Sequence, residues 1–249
     1  MPEIIVNIKN MDFSYGKNKV LDDVNIQISK GEYVGIVGSN GSAKSTLLKL
    51  ILGLLKPDRG KIEMFGTDIN NFNEWSRVGY LSQQVRNFNL TFPATVEEVV
   101  GVGMYSKMGF LKRITPSIRE KIDNALLAVN MQDYKHRLIG NLSGGQQQRV
   151  FIARLLINDP EIIFMDEPLV GIDSKSQDDF YILMDKLNTE LGITLAMVSH
   201  DIGVITNKVN KLVCISEGKV YIHNPKSFIH DANDSKIFGV DKTIITHRH

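Results

Sequence analysis

The chain has a single cysteine, Cys214, among its 249 residues. One thiol excludes an intramolecular disulfide, and its scarcity fits a reducing compartment. Long apolar runs are absent too. The segment LILGLL at 50–55 falls far short of the roughly 18 residues that a membrane helix needs. The opening MPEIIVNIKN lacks the basic stretch followed by an apolar one that marks a secretory signal. Nor is there a surplus of charge: 29 Lys and Arg stand against 28 Asp and Glu, for a net charge of +1. That balance argues against a broad nucleic-acid footprint. No internal repeat and no low-complexity linker is visible. These absences predict a cytosolic protein that binds no nucleic acid and meets a membrane only through a partner.

The composition that remains is ordinary for a chain with a real core, 43% hydrophobic and 23% charged. Short β-rich patterns at 4–8 and 20–28 predict an antiparallel edge near the N-terminus. EYVGIVG at 32–38 reads as a buried strand running into a glycine-rich turn, and LLKLILGLL at 47–55 as the apolar helix that follows. KIEMFG, RVGYLS, EIIFMD, GITLAMVS and KLVCIS read as further strands. From about 94 to 158 the pattern is helical, without a convincing strand. The fold class is therefore α/β, a largely parallel core with a helical insertion.

The strongest chemistry lies at 38–46, GSNGSAKST. A strand, a loop of inward-facing amides, then Lys and Ser opening a helix is the arrangement that cradles nucleotide phosphates. The loop amides of Gly38, Ser39, Asn40, Gly41, Ser42 and Ala43 would line the β-phosphate. Lys44 would bridge the β and γ oxygens, Ser45 would reach Mg²⁺, and Thr46 would lie near the α-phosphate. Ala43 departs from the glycine expected there. Because Gly41 and Ala43 are two apart, the cradle asks both for positive φ.

The second feature is EIIFMDEP at 161–168. Its apolar run delivers Asp166 and Glu167 to the end of a strand. Paired acids after a strand are often a solvated turn; beside a phosphate loop they suit a Mg²⁺ ligand and a base that polarises water. The third feature is NLSGGQQQR at 141–149, in which a hydroxyl and glycine amides sit at a helix start, a second anion site.

LSGGQ at 142–146, in this order with the two earlier motifs, resembles the signature of the ATP-binding cassette ATPases. The resemblance runs over roughly residues 3–222. It implies a RecA-like P-loop core with an N-terminal antiparallel β-subdomain and an inserted α-helical subdomain, placed at 87–158, in a single 1–249 domain that ends in a 223–249 extension. It also implies roles. Tyr15 would stack on adenine, Gln83 would touch Mg²⁺ from the lid, and His200 would contact the γ-phosphate. Gln84 leaves the Gln83 assignment open by one residue. Asp173 would cross to the opposite subunit, and Ser143, Gly144, Gly145 and Gln146 would close over the nucleotide of a second copy. Leu169 departs from the threonine usual after Glu-Pro, a change neutral for chemistry.

The resemblance thus implies an ATPase using ATP and Mg²⁺ that works as a homodimer. NLTFPATVEEVV at 89–100, HRLIGNLSGGQ at 136–146 and the substituted loop are similar to the ATPases of zinc and manganese importers, with zinc the favoured cargo. The partners would be a membrane permease and, indirectly, an extracellular metal-binding protein, with the chain peripheral on the cytoplasmic face. A non-transport cassette, such as an iron–sulfur assembly ATPase, and an importer of another substrate stay open. His223, His230, His247 and His249 near the C-terminus fit either a solvated tail or a metal-sensing one.

Overall fold

Alternating apolar residues in IIVNIKNMDFSY and NKVLDDVNIQIS build the first hairpin, β1 (Ile4–Tyr15) with β2 (Asn18–Ser29). Both strands run further toward the turn than the sequence pattern reached. The pattern breaks at Lys9 and Asn10, but irregularities in register, with Asn10 at φ 47, carry the pairing across the break. The free edge of β1 pairs antiparallel with β4 (Arg59–Met64), and β5 (Thr67–Asp68) completes a sheet of order β2-β1-β4-β5. The strand expected to reach residue 66 stops at Met64, because Phe65 and Gly66, at φ 50 and 76, form a two-residue hairpin turn. At two residues, β5 is too short to leave a pattern.

The structure, a computed structural model, describes residues 2–83, 93–105 and 115–225. The chain divides into two compact units at Asn73/Glu74 and at Ile193/Thr194. In the unit with both chain ends, β3 (Tyr33–Val37), buried at every position, lies parallel to β8 (Thr194–Ser199) on one side and β9 (Lys211–Ser216) on the other. Burial on both faces explains its unbroken apolar run. β10 (Lys219–His223) pairs antiparallel with β9 and carries regular structure to His223, past the last strand predicted. Among its described residues, two α-helices join these strands, α1 (Lys44–Ile51) after β3 and α6 (Ile202–Ile205) after β8. Helix α1 opens at Lys44 as expected but stops short of 55: Gly53, at φ 66, ends it, and Leu54 N bonds back to Lys49 O at 2.8 Å. Cys214 is buried in β9, and burial pushes its thiol pKa up to about 12, which disfavours the reactive thiolate.

The other unit, Glu74–Ile193, holds β6 (Val78–Leu81) parallel to β7 (Ile162–Asp166). Arg77 ties their starts together, bonding Glu161 at 2.7 Å and Glu74 at 2.9 Å. Its helices are α2 (Val96–Gly101), α3 (Pro116–Ala128), α4 (Gly144–Leu156) and α5 (Ser174–Thr189). Thr95 and Glu98 form a capping box at α2, and Thr115 with Pro116 opens α3. Among the described residues of 94–158 the only extended pairing is an isolated bridge, Thr95 with Leu138. Gln84, the first residues of the 89–100 motif and His230, His247 and His249 lie outside the described residues. No helix among the described residues is long and apolar enough to cross a membrane.

Candidate functional site

The glycine-rich loop leaves the buried end of β3 and turns into α1. Gly38 is demanded by space: a Cβ there would come within 2.4 Å of Ser42 Oγ and 2.5 Å of the Ile215 carbonyl. Gly41 and Ala43 both adopt left-handed backbone, at φ 81 and φ 75. The alternation that converges successive amides is therefore present, and Ala43 carries a strain of about 1–2 kcal/mol for it. Lys44 is 5% exposed, and its ammonium donates to the Gly38 and Ser39 carbonyls at 2.9 Å each.

The start of α1 is built for an anion. No side chain caps it and no acidic residue lies in its first turn. The positive end of a helix dipole favours an anion at such a start. Ser42 Oγ is buried without a hydrogen-bond partner. An orphaned hydroxyl, a lysine and uncapped amides form a donor set that fits phosphate oxygens. Tyr15 stands beside it. Phe13 meets the Tyr15 ring edge-on at 4.9 Å, and the Tyr15 hydroxyl lies 3.5 Å from Thr46 Oγ1. The ring is 49% exposed, open to a flat ligand. His200 is exposed in the turn between β8 and α6, where Asp201 caps the helix by accepting from Val204 N at 3.1 Å.

In the other unit, β7 ends on Asp166, 5% exposed, and Glu167. Glu167 is left-handed at φ 47 although it has a side chain and precedes a proline. Such a conformation costs on the order of 1–3 kcal/mol and is held in place by its surroundings. Gln83 Nε2 approaches the Glu167 carboxylate at 3.4 Å. Tyr80 on β6 has its pKa raised, by burial first and then by the Asp166 charge. Gln83, Glu167 and Pro168 share a cleft of about 220 Å³ with Gly144, Gln147 and Gln148 from the start of α4.

The signature residues begin α4. Ser143 Oγ accepts from Gln146 N at 3.3 Å, and Gln146 Oε1 accepts from Ser143 N at 3.0 Å, a reciprocal capping box. The cap occupies a lone pair of the hydroxyl and leaves its proton to donate elsewhere. Among the described residues a Cβ added at Gly144 would meet nothing within 4 Å, whereas one at Gly145 would press on Ser176 at 3.0 Å. Packing inside the chain accounts for Gly145 and not for Gly144. Asp173 caps α5, accepting from Ser176 N at 3.0 Å, and the Ser176 hydroxyl first, then that amide, hold its carboxyl below the usual range.

Two site neighbours escaped the sequence reading. Gln147 Nε2 donates to the Ile139 and Leu142 carbonyls at 3.2 and 3.1 Å, bracing the loop before the signature. Gln148 is buried, and its Nε2 donates to the Pro168 carbonyl at 2.8 Å. A signal for Gln148 existed: it lies three and four residues before buried Phe151 and Ile152, on the core face of the helix.

A family model described as ABC transporter matches residues 21–170. The zinc uptake system ATP-binding protein ZurA of Listeria monocytogenes is 42% identical over 233 residues, 94% of this chain and 91% of that protein. The manganese transport system ATP-binding protein MntB of Bacillus subtilis is 36% identical, with 94% and 92% covered. Among solved structures, cbiO1 of Clostridium perfringens, part of an ABC transporter complex, matches with a TM-score of 0.83 at 28% identity, covering 93% of each chain. A dimeric post-hydrolysis state of the cassette MJ0796 bound to ADP and Pi matches with a TM-score of 0.72 at 31% identity, covering 89% of this chain and 99% of that one.

Proposed function

The chain belongs to the ABC transporter family, and from that premise we propose that it is the ATP-hydrolysing subunit of a metal-ion importer. It works as a homodimer on a separate membrane permease, from the cytoplasmic face, with zinc as cargo and an extracellular metal-binding protein delivering it. The observation that carries the ATPase reading is the cradle itself: Ala43 accepts left-handed backbone and Ser42 Oγ stays unpartnered, as a phosphate site requires. Kinship with a zinc uptake protein at 42% identity supports the cargo. Manganese is the second reading, favoured by the 36% identity to a manganese transport protein.

Each residue then has a task. Tyr15 stacks on adenine. The amides of 38–43, Lys44 and Thr46 bind and orient the phosphates. Ser45, Gln83 and Asp166 would hold Mg²⁺, which supplies charge neutralisation between phosphate oxygens. Glu167 orients the attacking water and takes its proton, and His200 steadies the γ-phosphate. Ser143 donates its remaining proton, with Gly144, Gly145 and Gln146, to the nucleotide of the second copy, and Asp173 supports that junction through its cap on α5. Catalysis is then positioning and charge stabilisation, and the closure of the dimer is the work stroke.

Metal uptake in cells lacking this chain, with zinc and manganese compared, tests the proposal. Zinc accumulation is expected to fall, and to return with the natural chain but not with Lys44→Ala. A selective fall in manganese would move the cargo to the second reading. Unchanged uptake of both metals would remove the importer assignment.

A further inference from the structure

Gln148 lies in the second turn of α4, on the face that carries Phe151 and Ile152. It is 8% exposed, one of the few buried polar side chains among the described residues. Its amide reaches the carbonyl of Pro168, the residue directly after Glu167. Around that carbonyl the turn has two internal bonds, Val170 N to Glu167 O at 3.5 Å and Ile172 N to Leu169 O at 3.2 Å, and Glu167 and Gly171 are both left-handed. A carboxyl residue in that conformation before a proline is disfavoured locally, so bonds from outside the turn must hold it. The far end of the loop has such holds, with Gln177 Nε2 on the Ile172 carbonyl at 2.9 Å and Asp173 capping α5. At the near end, Gln148 supplies a short, buried one.

We propose that Gln148 is a positioning residue: its amide fixes the Pro168 carbonyl and thereby aims the Glu167 carboxylate. This rests on the reading of Glu167 as the base. The lever is one residue long, so a shift of Pro168 is felt directly by the base. Displacement of a reacting group by about 1 Å can lower a rate by as much as 100-fold. The same amide anchors the turn to the helix that begins with the signature, so the base is aimed from α4 rather than from its own loop.

ATP hydrolysis by the full chain tests this with two substitutions. Gln148→Met keeps the length and removes the donor. Its kcat is expected to fall at least about fivefold with KM for ATP within about threefold, and to add nothing when combined with Glu167→Gln. Gln148→Glu is charged and acceptor-only at high pH, but its protonated form donates an O–H to the Pro168 carbonyl. Burial and the facing carbonyl both raise the pKa of a carboxyl there. The ratio of Gln148→Glu to wild-type rate is therefore expected to climb as pH falls from 8 to 6. A merely structural role would not produce that climb. A Gln148→Met kcat reduced less than fivefold overturns the proposal, as does a Gln148→Glu ratio that stays flat with pH. The second variant decides if the first does not fold. Absence of turnover by the wild-type chain would overturn the ATPase reading and this proposal together; turnover that survives Glu167→Gln would overturn the base.

Discussion

At the scale of single residues, Glu167 and Ala43 share a conformation and differ in what it serves. Glu167 is strained at the point where a carboxylate leaves a strand end. Its replacement by Gln keeps the shape and removes the charge that, in the proposed mechanism, draws a proton from water. ATP binding is expected to survive while turnover falls about 100-fold or more, and a nucleotide-trapped dimer should accumulate on size exclusion. Near-normal turnover would remove the assignment. Ala43 holds φ 75 without the freedom of glycine. A strain of about 1–2 kcal/mol is small beside several charge-assisted phosphate contacts, so the natural loop is expected to bind ATP. Ala43→Gly should change nucleotide affinity by no more than about tenfold, or 1.4 kcal/mol. Binding only after the change to glycine would mean that the natural loop is disabled.

At the scale of elements, the helix starts divide by how they are capped. α2, α4 and α5 are closed by side chains of their own chain, while α1 is left without one. The open one follows the phosphate loop, where a ligand can complete it. The two that use a carboxylate, Glu98 at α2 and Asp173 at α5, are sensitive to acid in a definite direction. The Glu98 carboxylate accepts from Thr95 N at 2.7 Å, and that bond, then the Thr95 hydroxyl, holds its pKa below the ordinary 4.5. A depressed carboxyl pKa contributes stability above the unfolded value and loses it as pH falls through the folded one. Glu98→Ala should therefore lower the melting temperature by a constant amount from pH 7 down to about 5, with the gap closing below the ordinary 4.5. A gap independent of pH would show that the capping box carries no charge contribution.

At the scale of the whole molecule, the signature has its donors ready and its space open. Among the described residues nothing lies within 4 Å of a Cβ at Gly144, which leaves room for a group from another molecule. In the proposed dimer that is the nucleotide of the second copy. Gly144→Asp separates the two roles. An acidic residue in the first turn of a helix is favourable, and Gly is a poor helix former, so the melting temperature should hold or rise. A negative charge facing phosphate should lower ATP hydrolysis about 100-fold or more. A fall in both stability and activity would mean that Gly144 is needed for the fold, and normal hydrolysis would mean that no anion approaches it.

Much of this protein was legible in its residues alone, because the informative features are local. The phosphate loop, the acid pair and the signature are runs of adjacent residues whose types and spacing carry their chemistry before any packing is known. Strands with a clear apolar run, such as β3, β7 and β9, were legible for the same reason. Other features depend on which distant segments meet. The span of β1 and β2 depends on register irregularities, and β5 exists only through its turn. The Tyr15 hydroxyl reaches Thr46 across 31 positions of sequence, and Gly38 is confined by the carbonyl of Ile215. The hold of Gln148 on Pro168 spans 20 residues. No periodicity encodes such contacts: the spacing of Gln148 to Phe151 and Ile152 carries a signal for a buried helix face, and only packing determined which carbonyl its amide would meet.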